Sequence, residues 1–181
     1  LLLALLFVAA PDAAQENDRY RQPFPPFKMI GNIYWVGTYD LSTYLITTDA
    51  GHILINTGFV ETVPQIVEGI EKLGFKPSDV KILLATHGHI DHASGAVALR
   101  ERFGVTRFRK FPWSERDVKW PVEWTPIGNG DVIRAGDTEL VALHTPGHSP
   151  DHICFWHESS RTVFCGDLAI KGTSVWIPAR L

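Results

Sequence analysis

The stretch Thr86-His87-Gly88-His89-Ile90-Asp91-His92 follows directly on the apolar run Ile82-Leu83-Leu84-Ala85. That run is short, continuous and rich in branched side chains, as a buried strand requires. A helical pattern resumes just after it, so three imidazoles and one carboxylate crowd a strand-to-helix loop. Neutral imidazole and carboxylate are the ligands that a borderline-soft divalent ion such as zinc prefers. His87 and His89 are two apart, so in an extended segment they project to the same side and can grip one ion together. Asp91 and His92, around the following bend, can point at a second ion. A lone loop histidine is ordinarily a solvated side chain. Three histidines and an aspartate in six positions behind a buried strand call for a metal.

Toward the N-terminus, residues 64–74 form an amphipathic helix, with Val63, Ile66, Val67, Ile70 and Leu73 on one face. Thr62 suits its N-cap and Gly74 its stop. Residues 43–48 and 52–55 are strands joined by Asp49-Ala50-Gly51, a hairpin signal. Residues 30–37 make a further strand. Beyond the histidine-rich loop, residues 93–103 form a second helix, and the alternation of strands and helices implies an α/β layered sheet. Residues 108–124 interleave aromatics with charges and have no clean period. They read as a surface insert packing Phe108, Trp113, Trp120 and Trp124 on the sheet. Residues 131–143 are two short strands around Ala135-Gly136-Asp137. A tight loop, His144-Thr145-Pro146-Gly147-His148, comes next, and Gly147 and Gly166 serve as turn residues. Residues 153–156 and 162–165 form a hairpin. If His157 faces Thr162, then Cys154 faces Cys165, and the pair is expected to be reduced, since disulfide geometry is demanding.

At 181 residues the chain is one domain by length, long enough for a real core. A net charge of −3 and the lack of a basic run argue against a stable nucleic-acid partner. Two cysteines make no disulfide framework. Residues 1–10 are apolar without interruption, too short to span a bilayer and similar to the core of a secretory signal. Residues 1–14 are therefore expected to be a signal-peptide remnant. That implies a secreted or periplasmic location, with no membrane attachment after cleavage. Residues 15–28 are expected to be an extended linker, and residues 29–181 the folded domain.

The H-x-H-x-D-H stretch, together with Thr145-Pro146-Gly147-His148 and Phe164-Cys165-Gly166-Asp167, resembles the metallo-β-lactamase superfamily from about Met29 onward. The resemblance implies an αβ/βα sandwich. It also implies C-terminal truncation, because the family's last histidine has no counterpart before Leu181. It implies one metal held by His87, His89 and His148, and a second held by Asp91 and His92, with Asp167 bridging both. The cofactor it implies is zinc, one or two ions, with iron as the alternative. Where Asn56 stands the family usually has aspartate supporting the metal loop. The front half, notably Ile30-Gly31-Asn32-Ile33-Tyr34-Trp35-Val36-Gly37, is similar to the third-subclass metallo-β-lactamases. The back half, notably Gly147-His148-Ser149-Pro150-Asp151-His152, is similar to glyoxalase II-like and lactamase-β-2-like hydrolases. The implied function is that of a zinc-dependent hydrolase using a metal-bound hydroxide oriented by Asp91, the expected catalytic residue. Its small-molecule substrate is expected to be a β-lactam. The alternatives are a thioesterase, a phosphoesterase or nuclease, and an iron-dependent persulfide dioxygenase.

Overall fold

In a computed structural model the described residues are 18–104, 107–117 and 122–169. The signal-like residues 1–14, the first part of the linker, Trp120 and everything after Ala169 lie outside them. One sheet contains seven strands in sequence order: β1 (Phe27–Ile30), β2 (Ile33–Trp35), β3 (Tyr44–Ile46), β4 (His52–Ile55), β5 (Val80–Leu84), β6 (Arg107–Lys110) and β7 (Thr125–Pro126). The first four pair antiparallel, whereas β4 to β7 run parallel. The parallel pairs need crossovers, and helices supply them. α1 (Val63–Lys72) links β4 to β5. α2 (Ile90–Ala93) and α3 (Ala96–Phe103) link β5 to β6, and a short α4 (Ser114–Asp117) follows β6. A second sheet holds β8 (Val132–Ala135), β9 (Thr138–His144), β10 (Ile153–His157) and β11 (Thr162–Phe164), all antiparallel.

Strand alternation builds two cores from one sheet. Leu54 of β4 and Leu83 of β5 face the helices, where they meet Ile66, Ile70, Leu99 and Phe108. Ile53, Ile55, Ile82 and Leu84 point the other way and pack on Leu140, Ile153 and Phe155 of the second sheet. Strands buried on both faces read as continuous apolar runs, which is why 82–85 looked as it did. Among the described residues the layers are helix, sheet and sheet, three of the four in the expected sandwich.

Several local expectations change. Thr62 holds the N-cap position of α1, as expected, but its side chain makes no capping hydrogen bond. It sits in a 3-10 turn and its hydroxyl donates to Phe59 O at 2.9 Å. The expected helix over 93–103 is two helices, and the first begins inside the histidine-rich stretch, so Asp91 and His92 are helical. The break falls at Gly95, where a Cβ would lie 2.2 Å from Thr57 O and 2.7 Å from Val63 Cγ2. The expected surface insert begins as β6, inside the main sheet, with Phe108 in the core and Lys110 fully buried. The linker is not free of the domain. β1 starts at Phe27, Arg21 pairs with Glu61 at 2.7 Å, and the Thr38 hydroxyl donates to Tyr20 O at 2.7 Å. The hairpin register His157↔Thr162 is as expected. Continued by one position it sets Cys165 opposite Cys154, and both thiols are free.

Candidate metal centre

The loops after β4, β5, β9 and β11 gather at one edge of the two sheets, the usual place for functional loops in open α/β sheets. Ile153 N donates to Thr86 O at 2.8 Å and joins the sheets there. Around that seam the six expected ligands converge. His87 is fully buried, with Nε2 3.0 Å from His89 Nδ1. His148 Nε2 approaches the same His89 nitrogen at 2.9 Å. The donor atoms of His87, His89 and His148 lie within 4.8 Å of one another, and so do those of His87, His92 and Asp167. Asp167 reaches both groups, with Oδ1 3.2 Å from His92 Nε2 and Oδ2 3.5 Å from His148 Nε2. Asp91 was expected in the second group. It stands beside that trio, with Oδ2 3.4 Å from His92 Nε2, and His87 takes the third corner.

This donor set fits a divalent ion. Three imidazole nitrogens turned toward one point cannot satisfy each other, because a nitrogen–nitrogen contact holds only one proton. The five clustered histidines also repel charge. Burial first, then the neighbouring imidazoles, push the His87 pKa far down, so it remains a neutral ligand. Burial lowers the His92 pKa too, but the carboxylates of Asp167 and Asp91 overcome it and push it up to about 9. Burial opposes ionisation of Asp91 and Asp167, yet hydrogen bonds and charge from His92 hold both carboxyls below their usual range. The space between these carboxylates therefore favours positive charge.

Asn56 supports the first loop from below. It is fully buried, with φ at 63°, a left-handed conformation that asparagine tolerates. Its Oδ1 accepts Thr86 N–H at 3.0 Å and the Thr86 hydroxyl at 3.1 Å. The Thr86 oxygen is then left to accept His87 Nδ1–H at 3.2 Å, which frees His87 Nε2 for a metal. Asn56→Ala should cost about 2–4 kcal/mol, from left-handed strain and an unsatisfied buried donor. It should also weaken metal binding about 10–100-fold. Denaturant titration and a competitive zinc chelator read the two effects. Unchanged zinc affinity would show that Asn56 only closes a turn.

Three further residues complete the centre: Asp151 and Lys110, to which the sequence assigns no role, and His152, which it places outside the ligand set as a supporting residue beside His148. Asp151 is fully buried and accepts a backbone hydrogen bond from Gly88, between the first two ligands. Lys110 Nζ lies 3.6 Å from Asp151 Oδ2 and 2.6 Å from Asp117 Oδ1. His152 Nε2 accepts Asp167 N–H at 3.2 Å, and burial lowers its pKa to about 4. The spacing of His152 from His148 was visible, but its partner was not. His144 stands apart from the cluster, stacked on Phe111 and donating from Nε2 to Pro150 O at 2.9 Å. Gly147 has open space where a Cβ would go, so its turn role is not demanded.

The metallo-beta-lactamase superfamily model matches residues 37–180. The chain belongs to this superfamily of metal-dependent hydrolases. Among solved structures it is similar to the metallo-beta-lactamase GOB-18 from Elizabethkingia meningoseptica, with 33% identity and a TM-score of 0.72 over 85% of this chain and 62% of that one. It is also similar to BJP-1, a subclass B3 metallo-beta-lactamase of Bradyrhizobium japonicum, with 32% identity and a TM-score of 0.69 over 77% of this chain and 59% of that one. Among curated proteins it is 36% identical over 108 residues to a hydroxyacylglutathione hydrolase of Chelativorans sp., covering 56% of this chain and 38% of the relative. The chain spans 38–62% of the length of these three relatives. Both halves of the resemblance, to lactamases and to glyoxalase II-like hydrolases, are found in these relatives.

Proposed function

We propose that the chain carries the zinc-binding core of a β-lactam hydrolase. The observation that carries this reading is the likeness in fold and sequence to solved subclass B3 lactamases. His87, His89 and His148 would hold one ion, and His92 and Asp167, with Asp91 beside them, a second, His87 belonging to both groups. A divalent ion bound here supplies Lewis acidity and lowers the pKa of water to about 7. The side chains do the rest. Asp91 is part-exposed and kept ionised by His92, so its carboxylate can orient an attacking water and hold the proton passed to a leaving amine. Asp167 and His92 fix each other beside it. A cleft of about 290 Å³, lined in part by Ser42, Tyr44, Asp91, His92 and Asp167, opens on the same edge and is sized for a small molecule. The signal-like start supports an exported, periplasmic or secreted setting.

The reach of Asp167 to both ligand groups supports a second reading, hydrolysis of a thioester, in line with the curated relative. Turnover assays on the zinc-loaded chain separate the two. Hydrolysis of a chromogenic cephalosporin that stops with chelator is expected. Chelator-sensitive hydrolysis of S-lactoylglutathione alone would transfer the assignment to the second reading. Activity indifferent to chelator would reject both.

A further inference from the structure

We propose that His152 is a positioning residue for Asp167, the carboxylate that spans the two ligand groups. The inference rests on the metal-centre reading above. Asp167 N–H donates to His152 Nε2 at 3.2 Å. A backbone amide can only donate, so Nε2 must carry the lone pair and the proton must sit on Nδ1. Nδ1–H then donates to Thr145 Oγ1 at 2.9 Å. Both ring nitrogens are thus committed to protein groups, and His152, although fully buried within 5.3 Å of His87 ring to ring, is not a ligand.

The backbone entering Asp167 is held on its other side as well. A methyl group built on Gly166 would lie 2.8 Å from His152 Nε2 and 2.7 Å from Thr86 Oγ1, and Gly166 has φ at 48°. The chain therefore passes through a slot between His152 and Thr86, and Thr86 is the residue that sets the His87 tautomer. One wall of the slot belongs to the first ligand loop and the other to the loop carrying His148. A carboxylate has two free torsions and must meet two groups at once. Anchoring its own amide removes the backbone freedom that would otherwise let it choose one group.

Three substitutions test this. Glutamine can set an oxygen acceptor where His152 Nε2 lies. Phenylalanine fills the ring volume without an acceptor. Thr145→Val removes the acceptor that fixes the His152 tautomer. Co2+ titration of the full chain, read by d–d absorption, reports affinity and ligand geometry without reference to turnover. His152→Phe is expected to weaken Co2+ binding about 10–100-fold and to shift the d–d band. His152→Gln is expected to stay near the parent in both, and Thr145→Val to shift both in the direction of the phenylalanine variant. The thermal midpoints of the metal-free proteins show volume effects separately. If the phenylalanine variant does not fold, the glutamine and valine variants carry the test. Parent-like binding in His152→Phe or Thr145→Val, or a glutamine variant as weak as the phenylalanine one, would overturn the proposal and leave the metal centre intact. A parent chain that takes up no Co2+ would overturn the metal-centre reading as well.

Discussion

His87→Ala is expected to abolish hydrolysis and to lower zinc affinity by more than the roughly 100-fold that a lost supporting hydrogen bond can cost. His87 is the one residue common to both ligand groups. Its ring centroid lies 4.1 Å from that of His92, 4.5 Å from His89 and 4.9 Å from His148, so every other imidazole ligand is arranged around it. Its removal also opens a void in a fully buried position and leaves the Thr86 oxygen without its imidazole donor. His89→Ala should abolish hydrolysis too, but it touches one group only and should spare part of the binding at His92 and Asp167. His157→Ala, far along β10 and bonded to Ser159 and Ser160, is the control for histidine content. Zinc counted per chain after dialysis, alongside turnover, reads all three. Retention of both metal and activity in His87→Ala would remove the metal assignment.

The order in which these groups could be read from the sequence follows their chemistry. Four of the ligands lie within six consecutive positions, so their spacing alone places them together at one strand-to-helix junction. His148 and Asp167 lie far along the chain and became legible only through family resemblance. The supporting groups were less visible, because each depends on a contact between distant segments. Asn56 reaches 30 positions ahead to Thr86, and His152 reaches 15 ahead to Asp167. No periodicity reports such contacts. The same holds for β6. Arg107-Phe108-Arg109-Lys110 has one apolar residue in four, so by composition it reads as surface. It becomes a sheet strand because Phe108 fills the helix-side core and Lys110, two positions on, meets the carboxylates of Asp117 and Asp151. Where burial is apolar the sequence pattern carries it, and where burial is ionic the pattern misleads.

Lys110→Met tests that last point, and it should destabilise the fold by about 3–5 kcal/mol, the usual result of leaving buried charge uncompensated. Lys110 Nζ meets Asp117 Oδ1 at 2.6 Å, donates to Phe111 O at 2.7 Å and stands 3.6 Å from Asp151 Oδ2, with the Trp124 ring centroid 4.5 Å away. Methionine keeps the length of the stem and removes the cation. Asp151 is then the exposed weakness of the site, for it is fully buried and burial already pushes its carboxyl up. Desolvated and without its cation, it should take up a proton. A protonated Asp151 keeps the hydrogen bond from Gly88 less firmly, and Gly88 lies between His87 and His89, so zinc affinity should fall together with stability. Combining Lys110→Met with Asp151→Asn and Asp117→Asn removes the stranded charges while keeping an amide oxygen for Gly88, and most of the lost stability should return. Denaturant midpoints of the single and triple variants make the comparison. A single variant within about 0.5 kcal/mol of the parent, the range of ordinary surface changes, would mean that the buried ions contribute nothing to holding the metal loop.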